Sequence, residues 1–316
     1  MRSKGLAIIL AGGRSERLFP EITPKPLLKV RGRSLLEMTL ERLKSVPCCV
    51  VAKDDIAQLI RKDFKSRKKA VPKLYVEPAA RDTAAAVGFV LSKLPRQNRP
   101  EWIAVFSADQ YFPGSPSFKN FLKKVEKEVL KYPQALFVSG VSSKSQHRND
   151  FSRFGWIVCK VGNAGSAPAE QFVEKPDSKR LSGLSKRRAL INSGMFFGTT
   201  EAFLKAYQKH FPEVLNSRAS FGRLPRQPID RAIFEKFANV RCLKLAHAWQ
   251  DLGTWKDWAE MNGWRSKRNF VSVEGDKDLR FHLFGVENLA VIQRGKDLMI
   301  IPLEKTKRIK DYLIHG

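Results

Sequence analysis

The sequence predicts an α/β fold, with a mostly parallel β-sheet covered by helices on both faces and a small β-rich domain at the C-terminal end. Short apolar runs alternate with amphipathic helical patterns over the first 264 residues. Beyond that point the helical patterns give way to short strand-like runs. A chain of 316 residues can form one large domain and a small one. We therefore predict a main domain at residues 1–264 and a second domain at residues 265–316.

The predicted strands of the main domain are short runs of β-branched, aromatic and aliphatic residues. Several of these runs are apolar throughout, which is typical of strands covered on both faces. In chain order they are LAIILA, CCVVA, KLYV, WIAVFSAD, ALFVSGV, GWIVCKV and VRCLKLA.

Helical patterns lie between these strands. SLLEMTLERLKS begins with Ser34 and has Glu37 three residues later, which predicts a capping box. Asp82 can cap the next apolar helix, DTAAAVGFVLSKL. The segment SFKNFLKKVEKEVL is amphipathic, and its predicted buried face consists of Phe118, Phe121, Leu122, Val125 and Val129.

The C-terminal tail contains three strand-like runs, NFVSVEG, NLAVIQRG and DLMIIPL. The segment RSKRN at residues 265–269 is the predicted linker before them. The apolar residues of the tail need a surface to bury against. We expect them to pack on the main domain or on a second subunit, so the sequence allows a homodimer.

Composition and charge restrict the class of protein. Hydrophobic residues make up 43% of the chain and charged residues 28%, which is typical of a globular protein. The 58 lysines and arginines exceed the 31 acids by 27, and such a charge attracts anions. Base-stacking aromatic residues are not interleaved with the basic clusters, so we interpret the clusters as solvated faces and predict no specific nucleic-acid partner.

The sequence also bears on location and cysteine chemistry. No apolar run approaches the ~20 residues of a membrane span, and LAIILA is too short for a signal-peptide core. We therefore predict a cytoplasmic protein without a transmembrane segment. Its four cysteines form no C-x-x-C pattern, which favours buried thiols over a zinc site or disulfides. They are Cys48, Cys49, Cys159 and Cys242.

A glycine-rich turn follows the first predicted strand, within LAGGRSERLFPEITPKPLL at residues 10–28. The turn matches neither the P-loop pattern nor the dinucleotide fingerprint. Arg14 and Lys25 flank it, and both side chains bind phosphate oxygens well. Pro24 and Pro26 predict an extended segment around Lys25. Together these features predict a grip for a triphosphate or pyrophosphate.

Two aspartates occupy positions suited to ligand binding. Asp109 directly follows the strand WIAVFSA, and the carboxyl ends of strands in α/β sheets face the ligand crevice. Asp251 lies in WQDLGTW. Taken alone, Asp109 is better explained as a helix N-cap or turn residue, and Asp251 as a turn residue before Gly253.

The glycine-rich segment resembles the signature of the sugar-1-phosphate nucleotidyltransferase family, and further motifs follow in that family's order. EPAARDTAAA and FSADQYF resemble segments of its mannose-1-phosphate guanylyltransferase subfamily, and the tail from Gly285 is also similar. The remaining motifs are FVEKPD, NSGMFF, IDRAIFEK and WQDLGTW. The resemblance covers almost the whole chain.

The resemblance implies a Rossmann-like α/β/α nucleotidyltransferase domain with a small C-terminal β domain, often as a dimer. The implied enzyme transfers GMP from GTP to α-D-mannose 1-phosphate and yields GDP-mannose and pyrophosphate. Its implied cofactor is Mg²⁺ held by Asp109 and Asp251, and this donor set suits the ion. Catalysis would consist mainly of positioning and charge neutralisation.

The resemblance also implies which residues bind each substrate. Arg14 and Lys25 would be catalytic, and Glu77 would accept hydrogen bonds from the N1–H and N2–H₂ edge of guanine. The nucleotide-binding set is Leu10, Ala11, Gly12, Gly13, Arg14, Lys25, Glu77, Pro78, Arg81, Asp82, Thr83 and Asp109. The sugar-phosphate set is Gly155, Glu174, Lys175, Asn192 and Asp230, where Asp230 is equally compatible with a helix cap.

Four positions depart from the family pattern. Gln110 stands where a histidine is usual, Ser107 replaces a proline, Ile191 replaces an aromatic residue and Pro228 replaces a serine. Other hypotheses therefore stay open. They are transfer to another sugar 1-phosphate such as a heptose, use of another nucleotide, a catalytically silent paralogue that binds a GDP-sugar or a protein partner, and a polyanion-binding protein.

Overall fold

The computed structural model describes residues 4–13, 15–114, 117–143, 151–152, 154–159, 165–173, 176–186, 189–216, 221–264, 267–274 and 282–315. Arg14, Glu174 and Lys175 lie outside the described residues, as does part of the predicted linker at residues 265–266. Across the described ranges, no helix combines the length and the apolar character that crossing a membrane requires.

The main sheet has nine strands within the described part of the chain, in the order β5-β4-β1-β6-β11-β8-β12-β10-β9. Its strands are β1 (Gly5–Leu10), β4 (Cys48–Lys53), β5 (Lys73–Glu77), β6 (Trp102–Ser107), β8 (Leu136–Ser142), β9 (Trp156–Cys159), β10 (Ser166–Val173), β11 (Leu190–Thr199) and β12 (Val240–Leu245). Two short pairs lie beside it, β2 (Lys29–Val30) with β3 (Arg33–Ser34), and β7 (Gln110–Tyr111) with β13 (Gln250–Asp251).

The predicted α/β architecture is confirmed, with helices on both faces of the sheet. The helices are α1 (Leu35–Arg42), α2 (Asp54–Ser66), α3 (Asp82–Lys93), α4 (Lys119–Lys131), α5 (Ser178–Lys186), α6 (Thr200–His210), α7 (Glu213–Asn216), α8 (Trp255–Met261) and α9 (Ile309–His315). One face of the sheet packs against α1, α2 and α4, and the other packs against α3 and α6. Alternation along β1 divides its side chains between these faces, with Ala7 and Ile9 on the first and Ile8 on the second.

The sheet is parallel from β5 through β4 and β1 to β6. It is less uniformly parallel than the strand–helix alternation predicts, because β11 enters between β6 and β8 and runs antiparallel to both. The β8–β12 pair is parallel again, whereas β10 is antiparallel to both of its neighbours. The strand pattern predicts where these segments lie, but it carries no signal for the direction of each one.

The predicted helix caps are only partly correct. Ser34 accepts a hydrogen bond from the backbone N–H of Glu37, 3.2 Å away, as a capping box requires. The carboxylate of Glu37, however, pairs with Arg67 and Lys69, so the second half of the box is wrong. The cap position before α3 is held by Arg81, and Asp82 is the first helical residue. The predicted buried face of α4 is confirmed.

The C-terminal segment forms a separate three-stranded sheet of β14 (Phe270–Glu274), β15 (Leu289–Arg294) and β16 (Asp297–Pro302). Its buried Ala290 and Ile292 share an apolar cluster with Leu18, Leu28 and Trp255 of the main part of the chain. The tail therefore packs on the main part of the chain, which is one of the two arrangements expected from the sequence. It ends in the helix α9, which its strand-rich pattern did not predict. The division at residue 264 stays a prediction.

The cysteines have the buried character that their spacing predicts. Cys49, Cys159 and Cys242 are buried, and Cys48 is half-buried. Burial raises the pKa of the Cys48 thiol, and of the Cys49 thiol, to about 12. These thiols stay protonated near neutral pH, so they are unsuited to nucleophilic chemistry.

Candidate active site

Two adjoining cavities, each of about 320 Å³, open where the parallel strands β1, β4, β5 and β6 end. The first lies towards β4 and β5, and the predicted residues that line it are Leu10, Gly12, Gly13, Glu77, Asp82, Thr83 and Asp109. The second lies towards β11, and the predicted residues that line it are Leu10, Asp82, Thr83, Asp109, Gly155, Asn192, Asp230 and Asp251. Asp109 belongs to both, so it stands in the wall that the two cavities share.

The glycine turn after β1 forms one side of the first cavity. Ala11, which is buried and not part of the lining, donates its backbone N–H to the carbonyl of Val51, and this bond holds the turn against β4. A Cβ at Gly12 would lie 3.4 Å from Oε1 of Glu77, whereas a Cβ at Gly13 would face open space. The absence of side chains here lets a ligand approach the backbone closely.

Lys25 reaches the shared wall from a short 3₁₀ helix, Lys25–Leu27. Its Nζ lies 3.4 Å from Oδ2 of Asp109, and both its burial and this contact fix its position. The predicted extended conformation at Lys25 is therefore wrong. Pro24 is extended, but Pro26 occupies an early helical position, where its missing N–H leaves no bond unmade.

The two aspartates of the predicted metal site lie on neighbouring segments. Strand β13 pairs antiparallel with β7 and places Asp251 opposite Gln110, the residue next to Asp109. Both carboxylates line the second cavity. Ser107 donates its hydroxyl to Oδ1 of Asp109. In the described part of the chain, no cluster of three or more His, Cys, Asp or Glu is suited to hold a metal.

The lack of a side chain at Gly253 makes room for the carboxylate of Asp251 and the guanidinium of Arg17. A Cβ at Gly253 would lie 3.0 Å from Oδ2 of Asp251 and 3.4 Å from Nη2 of Arg17. Arg17 thus brings a second cation of the glycine-rich segment to the edge of the site. The sequence interpretation missed Arg17, because it belongs to the same basic segment as Arg14 and nothing in the pattern distinguishes the two.

Glu77 is a buried carboxylate at the end of β5, facing the first cavity. Only 7% of the residue is exposed, and its Oε2 has no hydrogen-bond partner among the described residues. Burial raises the pKa of Glu77 to about 7, while the charge of Lys53 opposes that effect and the charge of Asp82 adds to it. A buried acceptor without a partner is costly, so this oxygen is available to a donor from a ligand.

The start of α3 joins the two cavities. The carboxylate of Asp82 accepts from the N–H of Thr83 at 2.7 Å, and the backbone at Asp82 has a φ of 68°. The hydroxyl of Thr83 accepts from the N–H of Ile229 at 2.8 Å, which ties α3 to the segment that carries Asp230. Of the predicted residues nearby, Pro78 and Arg81 line neither cavity.

The second cavity is built around a bulge in β11, where the register of the strand against β8 shifts after Asn192; we call residues 192–194 the Asn192–Gly194 turn. The N–H of Asn192 donates to the carbonyl of Gly155 at 2.8 Å, and its side-chain Oδ1 accepts from the N–H of Gly194 at 2.9 Å. Asp230 begins a short π-helical segment, Asp230–Phe234, and its carboxylate accepts from the N–H of Arg231. The cap position before this segment is held by Ile229, so the cap role expected as an alternative for Asp230 is wrong, and Asp230 lines the second cavity.

Several residues that line the second cavity were not predicted as site residues. Phe154 and Trp249 meet edge to face, with ring centroids 5.2 Å apart. Gln110, which departs from the family pattern, and Ser193 also line this cavity. Trp249 begins the motif WQDLGTW that contains Asp251, and Phe154 directly precedes Gly155, so their positions in the sequence were the signal that could have identified them.

Comparison with known proteins agrees with the resemblance of the motifs. The sequence pattern of the nucleotidyl transferase family matches residues 6–265. The alginate biosynthesis protein AlgA of Pseudomonas fluorescens is 26% identical, over 96% of this chain and 70% of that protein. The mannose-1-phosphate guanylyltransferase of Escherichia coli is 24% identical, over 96% of this chain and 72% of that protein.

A solved structure has the same fold. It is described as a mannose-1-phosphate geranyltransferase from Thermus thermophilus, and it matches 99% of both chains with a TM-score of 0.84 and 23% identity. That likeness confirms the predicted fold class, including a small C-terminal β-sheet. The matched sequence pattern spans most of the chain, from β1 to the end of α8 and beyond. The chain therefore belongs to the nucleotidyl transferase family.

Proposed function

We infer that this chain transfers GMP from GTP to α-D-mannose 1-phosphate and releases pyrophosphate, with GDP-mannose as the second product. The observation that carries this proposal is the wall at Asp109, shared by two cavities of about 320 Å³ each. Transfer of a nucleotidyl group requires two substrates whose phosphates meet at one point. The relatives named mannose-1-phosphate guanylyltransferase and AlgA support the choice of substrates.

The first cavity suits GTP. Its glycine turn lets backbone groups approach phosphate, and Lys25 supplies a positive charge beside Asp109 in the wall of the cavity. The unpartnered Oε2 of Glu77 and its second oxygen offer two acceptors to the N1–H and N2–H₂ donors of guanine. Adenine lacks this pair of donors, so Glu77 favours GTP over ATP. Arg14, which lies outside the described residues, is the proposed second cation on the triphosphate.

The second cavity suits a sugar phosphate. Asn192 uses Oδ1 to hold Gly194, and its amide N–H₂ group remains as a donor to sugar hydroxyls. The backbone of Gly155, the carboxylate of Asp230 and the aromatic pair of Phe154 and Trp249 complete its lining. Glu174 and Lys175 are the proposed contacts to a sugar hydroxyl and the sugar phosphate, and both lie outside the described residues.

The reaction then follows from this placement. An oxygen of the mannose phosphate attacks the α-phosphorus of GTP and forms a new P–O bond. The bond from the α-phosphorus to the oxygen that bridges to the β-phosphorus breaks, and pyrophosphate leaves with that oxygen. Lys25 stabilises the negative charge that gathers on the phosphates, and the rigid cavity walls hold the attacking oxygen in line. No side chain needs to become a covalent nucleophile.

A divalent metal is common in this family, and the residues present fit Mg²⁺. Asp109 and Asp251 offer two carboxylates at one edge of the second cavity, and Mg²⁺ in such sites takes one or two carboxylates plus phosphate oxygens and water. Bound Mg²⁺ would neutralise charge on the triphosphate. Asp109 and Asp251 would hold it where the two substrates meet.

Three expectations from the sequence stay predictions alongside this function. They are a cytoplasmic location, a homodimer and a domain boundary at residue 264. None of them is required for the proposed reaction, because the described residues of a single chain line both cavities.

The proposal is tested by measuring pyrophosphate release from the purified chain with Mg²⁺. GTP, ATP, UTP and dTTP are each paired with mannose 1-phosphate, glucose 1-phosphate and a heptose 1-phosphate. We expect release with GTP and mannose 1-phosphate well above every other pair. Release with GTP and a different sugar would keep the reaction and overturn the sugar. No release with any pair, despite GDP-mannose binding, would support a silent paralogue.

A further inference from the structure

Gln110 connects the two halves of the site through a buried hydrogen bond. It directly follows Asp109 and is 7% exposed. Its side-chain Nε2 donates to the backbone carbonyl of Ser193, 2.6 Å away. The amide nitrogen therefore already has a partner in the protein, and one of its donors serves to hold the backbone in place. What it holds is a carbonyl of the turn that begins with Asn192.

That turn is irregular and needs to be held. The register between β11 and β8 shifts between Asn192 and Phe196. Gly194 has a φ of 69°, a conformation that favours glycine, and a Cβ there would lie 3.4 Å from Nε2 of Gln110. On its other side the turn is fixed through Ser193, whose hydroxyl donates to the carbonyl of Ser139 at 2.9 Å. Gln110 and Ser139 thus fix it from two sides.

The backbone of Gln110 meets the other part of the site. In the β7–β13 pair it lies opposite Asp251. Gln110 therefore directly follows Asp109 and faces Asp251 across the strand pair, and these are the two proposed metal ligands. Its side chain holds the turn on the sugar side of the site. A shift of that turn by about 1 Å relative to the carboxylates would misplace the attacking phosphate, and misplacement on that scale costs about 100-fold in rate.

We propose that Gln110 is a positioning residue, which fixes the Asn192–Gly194 turn at the distance from Asp109 and Asp251 that the sugar phosphate requires. This inference rests on the proposed function and specifies how its sugar side is built. To hold the turn, the side chain at position 110 must present a hydrogen-bond donor, neutral or cationic, to the backbone carbonyl of Ser193. A side chain without that donor leaves the buried carbonyl unpaired and frees the turn.

Three variants separate the donor from the shape of the side chain. Gln110→Ala removes the donor, Gln110→Glu keeps the length but presents only acceptors when ionised, and Gln110→His keeps a donor. The matched control is Gln293→Ala. Gln293 is also 7% exposed and also donates to a backbone carbonyl, that of Gly295, but it lies in the C-terminal sheet.

We expect Gln110→Ala and Gln110→Glu to raise the KM for mannose 1-phosphate about tenfold, as the loss of one buried hydrogen bond implies. The KM for GTP should change less than about twofold. Gln110→His should restore much of the wild-type KM for mannose 1-phosphate. Gln293→Ala should lower the unfolding temperature without raising the KM for mannose 1-phosphate selectively. Equal changes in both KM values, or an unimproved histidine variant, would overturn the inference.

Hydrogen exchange gives a readout that does not need turnover. In Gln110→Ala we expect faster exchange in the peptide that spans residues 190–198, and unchanged exchange in β1 and β5. Unchanged exchange at residues 190–198 would overturn the inference whatever the activity. If the wild-type chain releases no pyrophosphate while exchange responds as expected, the proposed function fails and the positioning by Gln110 stands.

Discussion

The ammonium nitrogen of Lys25 lies 3.4 Å from Oδ2 of Asp109, a residue 84 positions further along the chain. The other carboxylate oxygen of Asp109 accepts the hydroxyl of Ser107. A cation from the glycine-rich segment is thus fixed against a carboxylate at the end of a central strand. In the proposed reaction this pair lies where the charge of the triphosphate is greatest, so both members can be tested separately.

Asp109→Asn is expected to lower the turnover number by about 100-fold or more, because the variant loses a proposed metal ligand and the partner of Lys25. The measurement is pyrophosphate release at saturating GTP and mannose 1-phosphate over a range of Mg²⁺ concentrations. Cooperative thermal unfolding of the variant is the control for folding. Near-normal turnover, or turnover of the wild-type chain that survives a chelator, would remove Asp109 from a metal site.

Lys25→Met keeps a side chain of similar length and removes the charge. We expect turnover to fall by about 100-fold while mannose 1-phosphate binding, measured by calorimetry, stays close to that of the wild-type chain. The reason is that Lys25 belongs to the proposed nucleotide-binding set, in which its ammonium lies 3.4 Å from the carboxylate of Asp109. Weakened mannose 1-phosphate binding with intact turnover would assign Lys25 to the other substrate.

Glu77→Gln tests the recognition of guanine. A carboxylate that accepts two donors contributes more than a neutral amide, so we expect kcat/KM for GTP to fall about 10- to 100-fold. Because the pKa of Glu77 is raised to about 7, the wild-type kcat/KM for GTP should also fall as the pH drops below about 7. The variant should lose that pH dependence. An unchanged preference for GTP over ATP in the variant would contradict this role.

The stability of the same variant provides its control. An acid with a raised folded-state pKa stabilises the fold below its unfolded value near 4.5, and that stability is lost as the pH rises to about 7. Glu77→Gln should therefore be more stable than the wild-type chain at pH 8, on the order of a few kcal/mol, and not at pH 4. Urea unfolding at both pH values measures this difference.

Arg294→Met tests the junction between the C-terminal sheet and the glycine-rich segment. Arg294 Nε donates to Oε2 of Glu21 at 2.8 Å, and both side chains are largely buried. Burial raises the pKa of Glu21, but hydrogen bonds from Arg294 and Thr23 outweigh it, so the net pKa is lowered. Removing Arg294 leaves a buried carboxylate without its cation, which should cost about 3 kcal/mol of unfolding free energy.

The pH dependence of that loss follows from the lowered pKa of Glu21. The pair stabilises the fold above the unfolded value near 4.5, and this stability is lost as the pH falls through the lower folded-state pKa. The difference in unfolding free energy between the wild-type chain and Arg294→Met should therefore become smaller at acidic pH. The double variant Glu21→Gln with Arg294→Met should recover part of the stability at pH 7. A deficit that is equal at all pH values would mean that packing, not the ion pair, accounts for it.

Local patterns were enough to predict the elements that position the first cavity. The apolar runs that became β1, β5 and β6 predicted where Gly12, Glu77 and Asp109 would lie, because parallel strands end at one edge of a sheet. The capping pattern at Ser34 was informative for the cap itself. Its partner Glu37 was mispredicted, because Lys69 and Arg67 compete for the carboxylate from a distant part of the sequence.

Contacts between distant segments account for most of what the sequence did not predict. Gln110 and Ser193 are 83 positions apart, and Thr83 and Ile229 are 146 apart, and no periodicity in either segment encodes such a pair. The 3₁₀ helix at Lys25 depends on the burial of Leu27 and Leu28 beneath neighbouring elements, which overrode the preference of the flanking prolines. Likewise, nothing in the sequence around Gly194 distinguishes the glycine of the β11 bulge from the glycine of an ordinary turn.

The central claim is that the two cavities meeting at Asp109 receive the nucleotide and the sugar phosphate respectively. Calorimetry of GDP, mannose 1-phosphate and GDP-mannose binding to the wild-type chain, Glu77→Gln and Asn192→Ala tests it most directly. We predict that Glu77→Gln weakens the binding of GDP but not of mannose 1-phosphate, and that Asn192→Ala weakens the binding of mannose 1-phosphate but not of GDP. Both variants should weaken the binding of GDP-mannose. If either variant weakened GDP and mannose 1-phosphate equally, or if Asn192→Ala weakened only GDP, the assignment of the two cavities would be contradicted.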